Sequence, residues 1–593
     1  DYLAPLDDMR FVIHSLAELS RLSGLDGFEE ATEDTVDAIL DEAAKFAGGV
    51  LSPLNRVGDR IGAAFDQGRV TTPPGWQDAY RQFNEGGWGA LGIDPAHGGM
   101  GLPRVVSAAV SEMWNSANLA FALCPMLTSG AIEALLLRGS DALKARYIPP
   151  LVSGAWTGTM NLTEPQAGSD LAAIRTRAEK QSDGSYRITG QKIYITYGEH
   201  DLTENIIHMV LARTPDAPPG VKGISLFLVP KRLVNDDGSL GPQNDVRALS
   251  IEHKLGIHAS PTCVMAYGES GGATGYLVGE ENRGLEIMFI MMNAARFAVG
   301  MEGLALAERA YQAARDYARE RVQGASVSGA RGAIIEHPDV RRMLMLMKSQ
   351  IEAMRALSYV VAAAMDMGER LDDEPRRRVQ QGFGELMIPV IKGWFTELAT
   401  EIASIAIQVH GGMGYIEETG VAQLLRDARI TSIYEGTTAI QANDLIGRKL
   451  SRDKGAAMRA VLGAMHGTVA ALIPHDDEAL NAIRVHLLNA VEALSEAEEF
   501  LVAENGRNIE KVYAGSVPFL KLLGVVAGGW QLARAALLSA DRLSKNEGDA
   551  GFYQAKITTA RFYAEHVLPQ ALGLARSIMS GGQSVMALPV ERF

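Results

Sequence analysis

Residues 433–438 read Ile433-Tyr434-Glu435-Gly436-Thr437-Thr438, which places one carboxylate between bulky apolar residues and a Gly-Thr-Thr turn. Such a segment can hold a base in dry surroundings beside backbone N–H groups, where desolvation makes a carboxylate a stronger base. The alternative is a surface glutamate at the start of a helix, where the helix dipole favours a negative charge. These six residues alone favour the surface glutamate, so the choice depends on the rest of the chain.

The composition is that of a globular chain with several domains. The chain has 593 residues, more than one hydrophobic core usually serves, of which 47% are hydrophobic and 21% charged. Its net charge of −15 argues against nucleic acid or an anionic membrane surface as the main partner. The two cysteines are far apart and the histidines do not cluster with them, so we expect neither a disulfide framework nor a metal site.

No segment predicts export or insertion into a membrane. The first residues lack the basic start and the apolar stretch of a signal peptide. The best membrane candidate, residues 522–533, is uncharged but too short to span a bilayer as a helix, so we expect a buried helix there. We therefore expect a cytoplasmic protein without an integral membrane segment.

Changes in the pattern of apolar and turn-forming residues along the chain divide it into four predicted domains. Residues 1–156 are predicted to be helical, with separate helices at 105–119 and 131–137. Residues 157–280 contain short apolar runs between Gly, Pro and Asp turns, as in a small barrel or sandwich. Residues 281–470 carry long apolar stripes that predict a helical bundle. After a linker at 473–477, the domain 471–593 is predicted to be helical to about residue 574 and to end in a Gly-rich segment at 580–582.

Three further motifs offer contacts for a ligand, and each has a simpler interpretation. The turn 160–170 carries Thr163 and Ser169, which could bond a flat polar ring, but a capped surface turn explains it equally well. Residues 191–196 present Tyr194 and Thr196 on a strand, although alone they are typical of an ordinary strand. Residues 408–415 form a Gly-rich turn that permits close backbone approach or simply caps a helix.

Taken together, these motifs resemble those of the acyl-CoA dehydrogenase family of flavoproteins, in the family's order and over roughly residues 30–460. The matching segments are Thr163-Glu164-Pro165 with residues 167–170, Gln408 with Gly411-Gly412, and Tyr434-Glu435-Gly436-Thr437. The resemblance implies an α+β multidomain fold with an N-terminal helical domain, a middle β-barrel and a C-terminal four-helix bundle. Here an extra C-terminal helical domain follows. The resemblance also implies FAD as the cofactor.

The resemblance assigns roles to individual residues. Glu435 would be the catalytic base, removing the α proton of an acyl-CoA thioester while the β hydride passes to flavin and trans-2-enoyl-CoA forms. The Glu435 N–H and a ribityl hydroxyl of FAD would hold the thioester oxygen. The implied FAD contacts are Met160, Leu162, Thr163, Gly168, Ser169, Tyr194, Ile195, Thr196, Arg321, Gln323, Gln408, Gly411, Gly412 and Thr437. The implied substrate contacts are Ser169, Asn293, Arg296, Glu435 and Gly436, and no metal is implied.

The chain departs from the family pattern at three places. Tyr194 stands where the family often has Trp, and His258 replaces an arginine. A loop at 325–332 is inserted after a segment that lacks the usual aromatic residue before Gly324. These departures bear most on Arg321 and Gln323, which the resemblance assigns to the FAD of a neighbouring subunit.

The extension narrows the choice within the family. Extended members include very-long-chain enzymes, whose extension serves dimerisation and membrane contact, and a bacterial group that acts on 3-(methylthio)propionyl-CoA. The extension here lacks a strongly basic amphipathic face, which argues against membrane contact. The overall resemblance, including the total length, favours the bacterial group. We therefore expect a homodimer that forms methylthioacryloyl-CoA and passes electrons to electron-transfer flavoprotein. The methionines at 288–292 and 343–347 could surround a sulfur-containing acyl chain, although core packing explains them more simply.

Three other functions share parts of this pattern. A dehydrogenase for acyl chains of another length would keep every motif, and an acyl-CoA oxidase would keep the base but pass electrons to oxygen. A DNA-binding flavoprotein of the alkylation-response type needs a basic C-terminal domain. Residues 478–593 instead mix both signs and include the acidic run 496–499, so this function fits poorly.

Overall fold

The computed structural model describes residues 2–329 and 331–593, which form two compact units. Unit 1 comprises Lys45–Leu102 and Ala117–Ala298, and unit 2 comprises Tyr2–Ala44, Pro103–Ser116 and Val299–Phe593. Three helices contribute residues to both units: Glu33–Phe46, Arg104–Arg138 and Gly284–Glu320. The four predicted domain boundaries stay a prediction beside this division.

Unit 1 is built on an eight-stranded sheet. Along the sheet the strands follow the order Val246–Ile251, Thr262–Tyr267, Tyr186–Thr196, Ala273–Val278, Ser225–Pro230, Asn205–Ala212 and Trp156–Asn161, with Arg177–Lys180 also paired to Tyr186–Thr196. All pairs are antiparallel except the last along the path, which is parallel. The Tyr267 hydroxyl donates to Asn161 Oδ1 at 2.7 Å, which joins the second and last strands of the path. The sheet therefore curls round a core, as the predicted barrel requires.

The two faces of this sheet bury different cores. On the strand Asn205–Ala212, Ile207 and Met209 pack with helical residues such as Leu135 and Tyr147. Val210, on the opposite face, packs inside the curled sheet with side chains such as Phe227. Burial on both faces explains why this strand is a continuous apolar run rather than an alternating one. The helices of unit 1 outside the shared ones are Ser52–Ile61, Trp76–Glu85 and Asp141–Val152.

Two features of unit 1 differ from the sequence prediction. The helix predicted at 105–119 ends at a kink at Asn118 (φ −162°, ψ 89°), and the second helix of Arg104–Arg138 begins directly after this kink rather than at the predicted residue 131. Asn118 Oδ1 accepts from the Phe121 N–H at 3.1 Å and caps the segment after the kink. The predicted helical region also contains a hairpin, Ala64–Asp66 with Arg69–Thr71, whose Gln67-Gly68 turn has two positive φ angles.

Unit 2 is helical. Its remaining helices are Leu6–Phe11, Leu19–Leu22, Pro338–Arg370, Glu374–His410, Val421–Thr431, Thr438–Asp444, Ala456–Leu472, Glu478–Glu504, Ile509–Ala514, Ser516–Ser544, Ala550–His566 and Gln570–Val585. The predicted linker at 473–477 is non-helical. The Gly-rich segment at 580–582 lies inside the helix Gln570–Val585, so its prediction as the end of the helical region is wrong.

The extension packs on the bundle within unit 2. Gly524 of Ser516–Ser544 lies so close to Trp394 of Glu374–His410 that a Cβ there would meet the indole at 2.5 Å. The Tyr563 hydroxyl of Ala550–His566 donates to the Val525 carbonyl at 2.9 Å. Glycine is therefore needed at residue 524 for the close helix contact.

A buried ion network connects the extension to the N-terminal helix of unit 2. Lys556 Nζ donates to Asp8 Oδ1 and to Glu352 Oε2, each at 2.6 Å. The guanidinium of Arg355 reaches Asp8 Oδ2 at 2.6 Å and also contacts Glu112 and Glu308. Charges from five separate segments of the chain are paired here, so the network is sensitive to the loss of any one partner.

Three described helices are long and apolar enough to cross a membrane by length and composition, namely Arg104–Arg138, Gly284–Glu320 and Ser516–Ser544. The segment 522–533 lies inside the 29-residue helix Ser516–Ser544, so its predicted shortness is wrong. The reason is that Lys521 and Arg534, which bound the uncharged run, are themselves helical. In that helix 83% of the most apolar window is buried in the protein. The expected absence of an integral membrane segment stays a prediction.

Candidate active site

Glu435, the predicted base, lies in the turn that connects Val421–Thr431 to Thr438–Asp444 in unit 2. Glu435 and Gly436 both have left-handed backbones, with φ +55° and +92°. This conformation is costly for a glutamate, so it must be held by its surroundings. Thr437 then caps the next helix, its hydroxyl accepting from the Ile440 N–H at 3.4 Å. Glu435 is half-buried and stands outside the helix, unlike the helix-start glutamate of the simpler interpretation.

Two side chains hold this turn through hydrogen bonds to its backbone carbonyls. Lys392 is fully buried, and its Nζ donates to the carbonyls of Thr431 at 2.8 Å and Gly436 at 2.7 Å. Gln441 Nε2 donates to the Gly436 carbonyl at 3.3 Å and the Glu435 carbonyl at 3.4 Å. A Cβ on Gly436 would meet Gln441 Nε2 at 2.6 Å, so the glycine provides both the φ angle and the space.

Tyr434 fastens the turn on its other side. Its hydroxyl donates to Oε2 of Glu302, a fully buried residue of Gly284–Glu320. Burial raises the pKa of Glu302 to about 8. Neither Glu302 nor Lys392 is among the site residues predicted from the sequence. Their signal was one charged residue between two short apolar runs of a long helix, as in Met301-Glu302-Gly303 and Ile391-Lys392-Gly393.

A second group of predicted residues lies where two long helices of unit 2 end. His410, at the end of Glu374–His410, stacks on Tyr317 with ring centroids 4.4 Å apart. Tyr317 lies one helical turn before Arg321, so the predicted contacts Gln408 and Arg321 come from neighbouring helix ends. Gly411 has φ +60°, which favours glycine, and the 411–412 turn is exposed.

The backbone on the two sides of the insertion after Arg321 pairs at its base, and Ala330 within the insertion lies outside the described residues. The Ile334 N–H donates to the Arg321 carbonyl at 2.7 Å, and Val322 and Ala333 form an isolated antiparallel bridge. His337 Nε2 lies 3.0 Å from the Gln323 carbonyl. Gln323 itself is exposed. The inserted residues therefore leave the backbone around Arg321 and Gln323 ordered by local bonds.

In unit 1 the predicted flavin-contact turn is held by an internal carboxylate. Glu164 is buried and accepts from Lys192 Nζ at 2.8 Å, the Thr176 hydroxyl at 2.6 Å and the Arg175 N–H at 2.6 Å. Burial alone would raise the pKa of Glu164, but the Lys192 charge and these bonds outweigh it and lower the pKa to about 2. Lys192 Nζ also donates to the Leu162 carbonyl at 2.9 Å. The ion pair thus fixes the turn to the neighbouring strand.

Tyr194 stands at a bulge beside that turn. The strand Tyr186–Thr196 has an extra residue here, since Cys263 and Met265 pair with Ile195 and Lys192. Tyr194 adopts φ +58° and leaves 61% of its surface exposed. The Ile193 N–H donates to the Thr163 carbonyl at 2.9 Å, which brings the tyrosine next to the 162–169 turn.

Ile195 and Met160 are buried in the cores of unit 1, at 2% and 7% exposure. The side chain of Ile195 packs inside the curled sheet and that of Met160 packs under it with the helices. Cofactor contacts from Ile195 therefore require its backbone.

This part of unit 1 fits one edge of a flavin. Within residues 2–329 and 331–593, the hydroxyls of Thr163 and Ser169 make no hydrogen bond to protein. An exposed aromatic ring, two such hydroxyls and Gly168, which has open space round its Cβ position, lie on one turn and its neighbouring bulge. Polar groups beside an aromatic surface suit a flat heterocycle with a hydrogen-bonding rim.

The remaining predicted residues of unit 1 have mixed surroundings. Asn293 is exposed and Arg296 is buried on Gly284–Glu320. His258, which replaces the family's arginine, packs its ring nitrogens between the Asp59 carbonyl at 2.9 Å and the Lys254 carbonyl at 3.0 Å. Met288 and Met291 lie in the core shared by sheet and helices, so core packing explains them.

Four domain descriptions match the chain along its length. They are the acyl-CoA dehydrogenase N-terminal domain (residues 33–155), middle domain (159–268) and C-terminal domain (282–450), and an acetyl-CoA dehydrogenase C-terminal like domain (461–589). The chain is 50% identical over 588 residues to the 3-methylmercaptopropionyl-CoA dehydrogenase of Ruegeria pomeroyi, covering 99% of each chain.

The chain belongs to the acyl-CoA dehydrogenase family. Members of this family are oxidoreductases that carry FAD and dehydrogenate acyl-CoA thioesters. The predicted family and fold class, including the additional helical domain, are confirmed.

Solved structures share the same fold. Caenorhabditis elegans ACDH-11 in complex with C11-CoA superposes with a TM-score of 0.79 at 22% identity, covering 96% of this chain and 92% of that chain. An acyl-CoA dehydrogenase complexed with FAD from Bacillus anthracis superposes with a TM-score of 0.74 at 20% identity, covering 92% of this chain and 88% of that chain. At these identities the two structures support the architecture of this acyl-CoA dehydrogenase rather than its substrate.

Proposed function

We propose that this acyl-CoA dehydrogenase converts 3-(methylthio)propionyl-CoA to methylthioacryloyl-CoA, with Glu435 as the base. The observation that carries the substrate is the 50% identity to the Ruegeria pomeroyi enzyme over 99% of both chains, extension included. The local geometry supports the base, because Glu435 stands in a turn held on both sides by buried side chains.

Glu435 removes the α proton in this proposal, and its position decides the reaction. In this turn the half-buried carboxylate could reach a bound thioester, while Lys392 and Gln441 hold the backbone carbonyls of the turn in place. The N–H of Glu435 would donate to the thioester oxygen as negative charge develops there. Gly436 gives the adjoining backbone its left-handed φ and the room that the turn needs against Gln441.

The residues proposed to hold FAD fall into one set in each unit. In unit 1 the 162–169 turn and the Tyr194 bulge would contact the flavin ring, and in unit 2 Thr437 would contact FAD. Arg321, Gln323 and the 408–412 turn of unit 2 would reach the FAD of a neighbouring subunit. Bound flavin supplies the hydride acceptor, which no side chain can replace. We further propose electron-transfer flavoprotein as the electron acceptor, a homodimer as the assembly and the cytoplasm as the location.

An anaerobic titration with matched acyl-CoA thioesters tests the substrate. Pentanoyl-CoA is the matched control, because it differs from 3-(methylthio)propionyl-CoA only by CH₂ in place of sulfur. We expect both to bleach the flavin, with kcat/KM for the sulfur compound up to about tenfold higher, since a pocket gains little from one such exchange. Palmitoyl-CoA should react at least about 100-fold more slowly. A higher kcat/KM for palmitoyl-CoA would refute the proposed substrate.

The electron acceptor is tested in the same preparation. We expect rapid turnover with electron-transfer flavoprotein and slow turnover in air. Hydrogen peroxide formed mole for mole with the enoyl-CoA at an undiminished rate would identify an oxidase instead.

A further inference from the structure

Glu302 is a buried acid beside the proposed base that the reaction does not use. It lies on Gly284–Glu320 within unit 2 and is 0% exposed. Its Oε2 accepts the Tyr434 hydroxyl, and its Oε1 has no hydrogen-bond partner among residues 2–329 and 331–593. A buried carboxyl with one unsatisfied oxygen destabilises the fold relative to an apolar residue, so its presence calls for a compensating role.

Few charged or titratable groups lie near Glu302, and one of them is in direct contact with it. The helix of Glu302 approaches Glu374–His410 closely, since a Cβ on Gly303 would meet Phe395 at 2.9 Å. Lys392 of that helix directs its amine to two backbone carbonyls of the Glu435 turn. The other titratable groups facing Glu302 are Tyr434 and Glu435. Tyr434 is therefore the group that Glu302 holds directly.

We propose that Glu302 is a positioning residue for the base, acting through its bond to the Tyr434 hydroxyl, an inference that rests on Glu435 being that base. Tyr434 directly precedes Glu435, whose φ of +55° is disfavoured for a glutamate. The turn is held on one side by Lys392 at the Gly436 carbonyl and on the other by Glu302 at Tyr434. Both anchors are needed to keep the carboxylate in one orientation, because releasing either end lets the strained backbone relax.

The bond explains the chemical choice of an acid at residue 302. Burial keeps the pKa of Glu302 near 8, so at neutral pH it is mainly uncharged and adds no second negative charge beside Glu435. A glutamine would preserve an oxygen that accepts from the Tyr434 hydroxyl, whereas a leucine would fill similar space without accepting.

A double-mutant cycle tests the inference. The variants are Glu302→Leu, Tyr434→Phe and the pair together, with Glu302→Gln as the conservative rescue. Tyr359→Phe is the matched control, because the Tyr359 hydroxyl also donates to a buried glutamate, Glu112, at 2.6 Å. The wild-type and variant enzymes carry FAD and are assayed with 3-(methylthio)propionyl-CoA, and with pentanoyl-CoA should the sulfur compound prove inactive.

We expect Glu302→Leu and Tyr434→Phe each to lower kcat by about tenfold, with KM within about twofold of wild type. The double variant should be no slower than the slower single variant, because both changes remove one interaction. Glu302→Gln should keep at least half of the wild-type kcat, and Tyr359→Phe should leave kcat unchanged within about twofold.

Two results would overturn the positioning role. One is a kcat for Tyr434→Phe or a folded Glu302→Leu within twofold of the Tyr359→Phe control, and the other is a double variant whose loss is the product of the single losses. Glu435→Gln separates this inference from the proposed function. If Glu435→Gln turns over normally, Glu435 is not the base. If it is inactive while Tyr434→Phe is normal, only the role of Glu302 fails.

Discussion

Glu302 gives the protein a pH dependence that can be measured without turnover. Its pKa is raised from 4.5 to about 8 by burial, so the folded chain keeps a proton that the unfolded chain loses between these values. The stability that this residue contributes is therefore present below about pH 4.5 and falls as the pH rises through 8. Glu302→Gln removes this loss. We expect the variant to gain up to about 4 kcal/mol of unfolding free energy over wild type between pH 5 and pH 8.

Urea denaturation of both proteins at several pH values measures this gain. Tyr359→Phe serves as a control that leaves Glu302 unchanged, and its difference from wild type should not follow the same pH profile. A Glu302→Gln difference that stays constant from pH 5 to pH 8 would show that Glu302 ionises normally.

At the residue scale, sequence patterns locate Glu435 but not the groups that hold it. The run 433–438 and the family motifs predict the base because they are contiguous in sequence. Tyr434 and Glu302 are 132 residues apart, and Lys392 and Gly436 are 44 apart. No local pattern pairs them, since the pairing arises when long helices pack together. Ile195 shows the converse, because its motif position is predicted while its side chain belongs to a core.

The conformation of the turn that carries Glu435 depends on the hydrogen bonds donated by Lys392. Lys392→Met keeps the length of the side chain but removes the donor to the Thr431 and Gly436 carbonyls. We expect the unfolding free energy to fall by about 2–4 kcal/mol and kcat to fall by at least about tenfold. Denaturation and steady-state kinetics measure the two effects. An exposed control, Lys545→Met, should change neither, and an unchanged kcat in Lys392→Met would show that the turn needs no rear anchor.

The 162–169 turn of unit 1 depends in the same way on the ion pair of Glu164 and Lys192. Glu164→Gln leaves a buried lysine without its counter-charge, which costs about 3–5 kcal/mol. We expect weaker FAD retention, measured as the flavin-to-protein absorbance ratio after dialysis. Glu179→Gln, an exposed change on a neighbouring strand, should retain FAD as wild type does. If both variants retained FAD equally well, the 162–169 turn would not contribute to binding of the cofactor.

Helices and strands can be predicted where the apolar residues recur with a strong period. The prediction fails where the local backbone geometry interrupts that period. The helix Glu374–His410 lies within residues 281–470, where continuous apolar stripes predict a helical bundle. The kink at Asn118 and the Gln67-Gly68 hairpin depend on single backbone angles, which an apolar pattern does not record.

At the scale of unit 2, the extension is part of the packed bundle. Lys556 of Ala550–His566 joins Asp8 and Glu352 in a buried network. Lys556→Met would leave two carboxylates short of a partner, and we expect a loss of about 3–5 kcal/mol in unfolding free energy. Lys545→Met, exposed in the same extension, is the control. If Lys556→Met unfolds at the same urea concentration as this control, the network contributes no net stability.

The change in residue pattern near residue 473 predicts a linker between two domains. This pattern carries no information on packing between distant residues, so it does not predict that Gly524, after the linker, packs against Trp394, before it.

Glu435 as the base is tested most directly by anaerobic flavin reduction in Glu435→Gln, loaded with FAD and mixed with 3-(methylthio)propionyl-CoA. We predict that the variant binds the thioester with a Kd within a few-fold of wild type and reduces its flavin about 10²–10⁴-fold more slowly, because the amide cannot take the α proton. A reduction rate within tenfold of wild type would contradict this assignment and move the base to another residue.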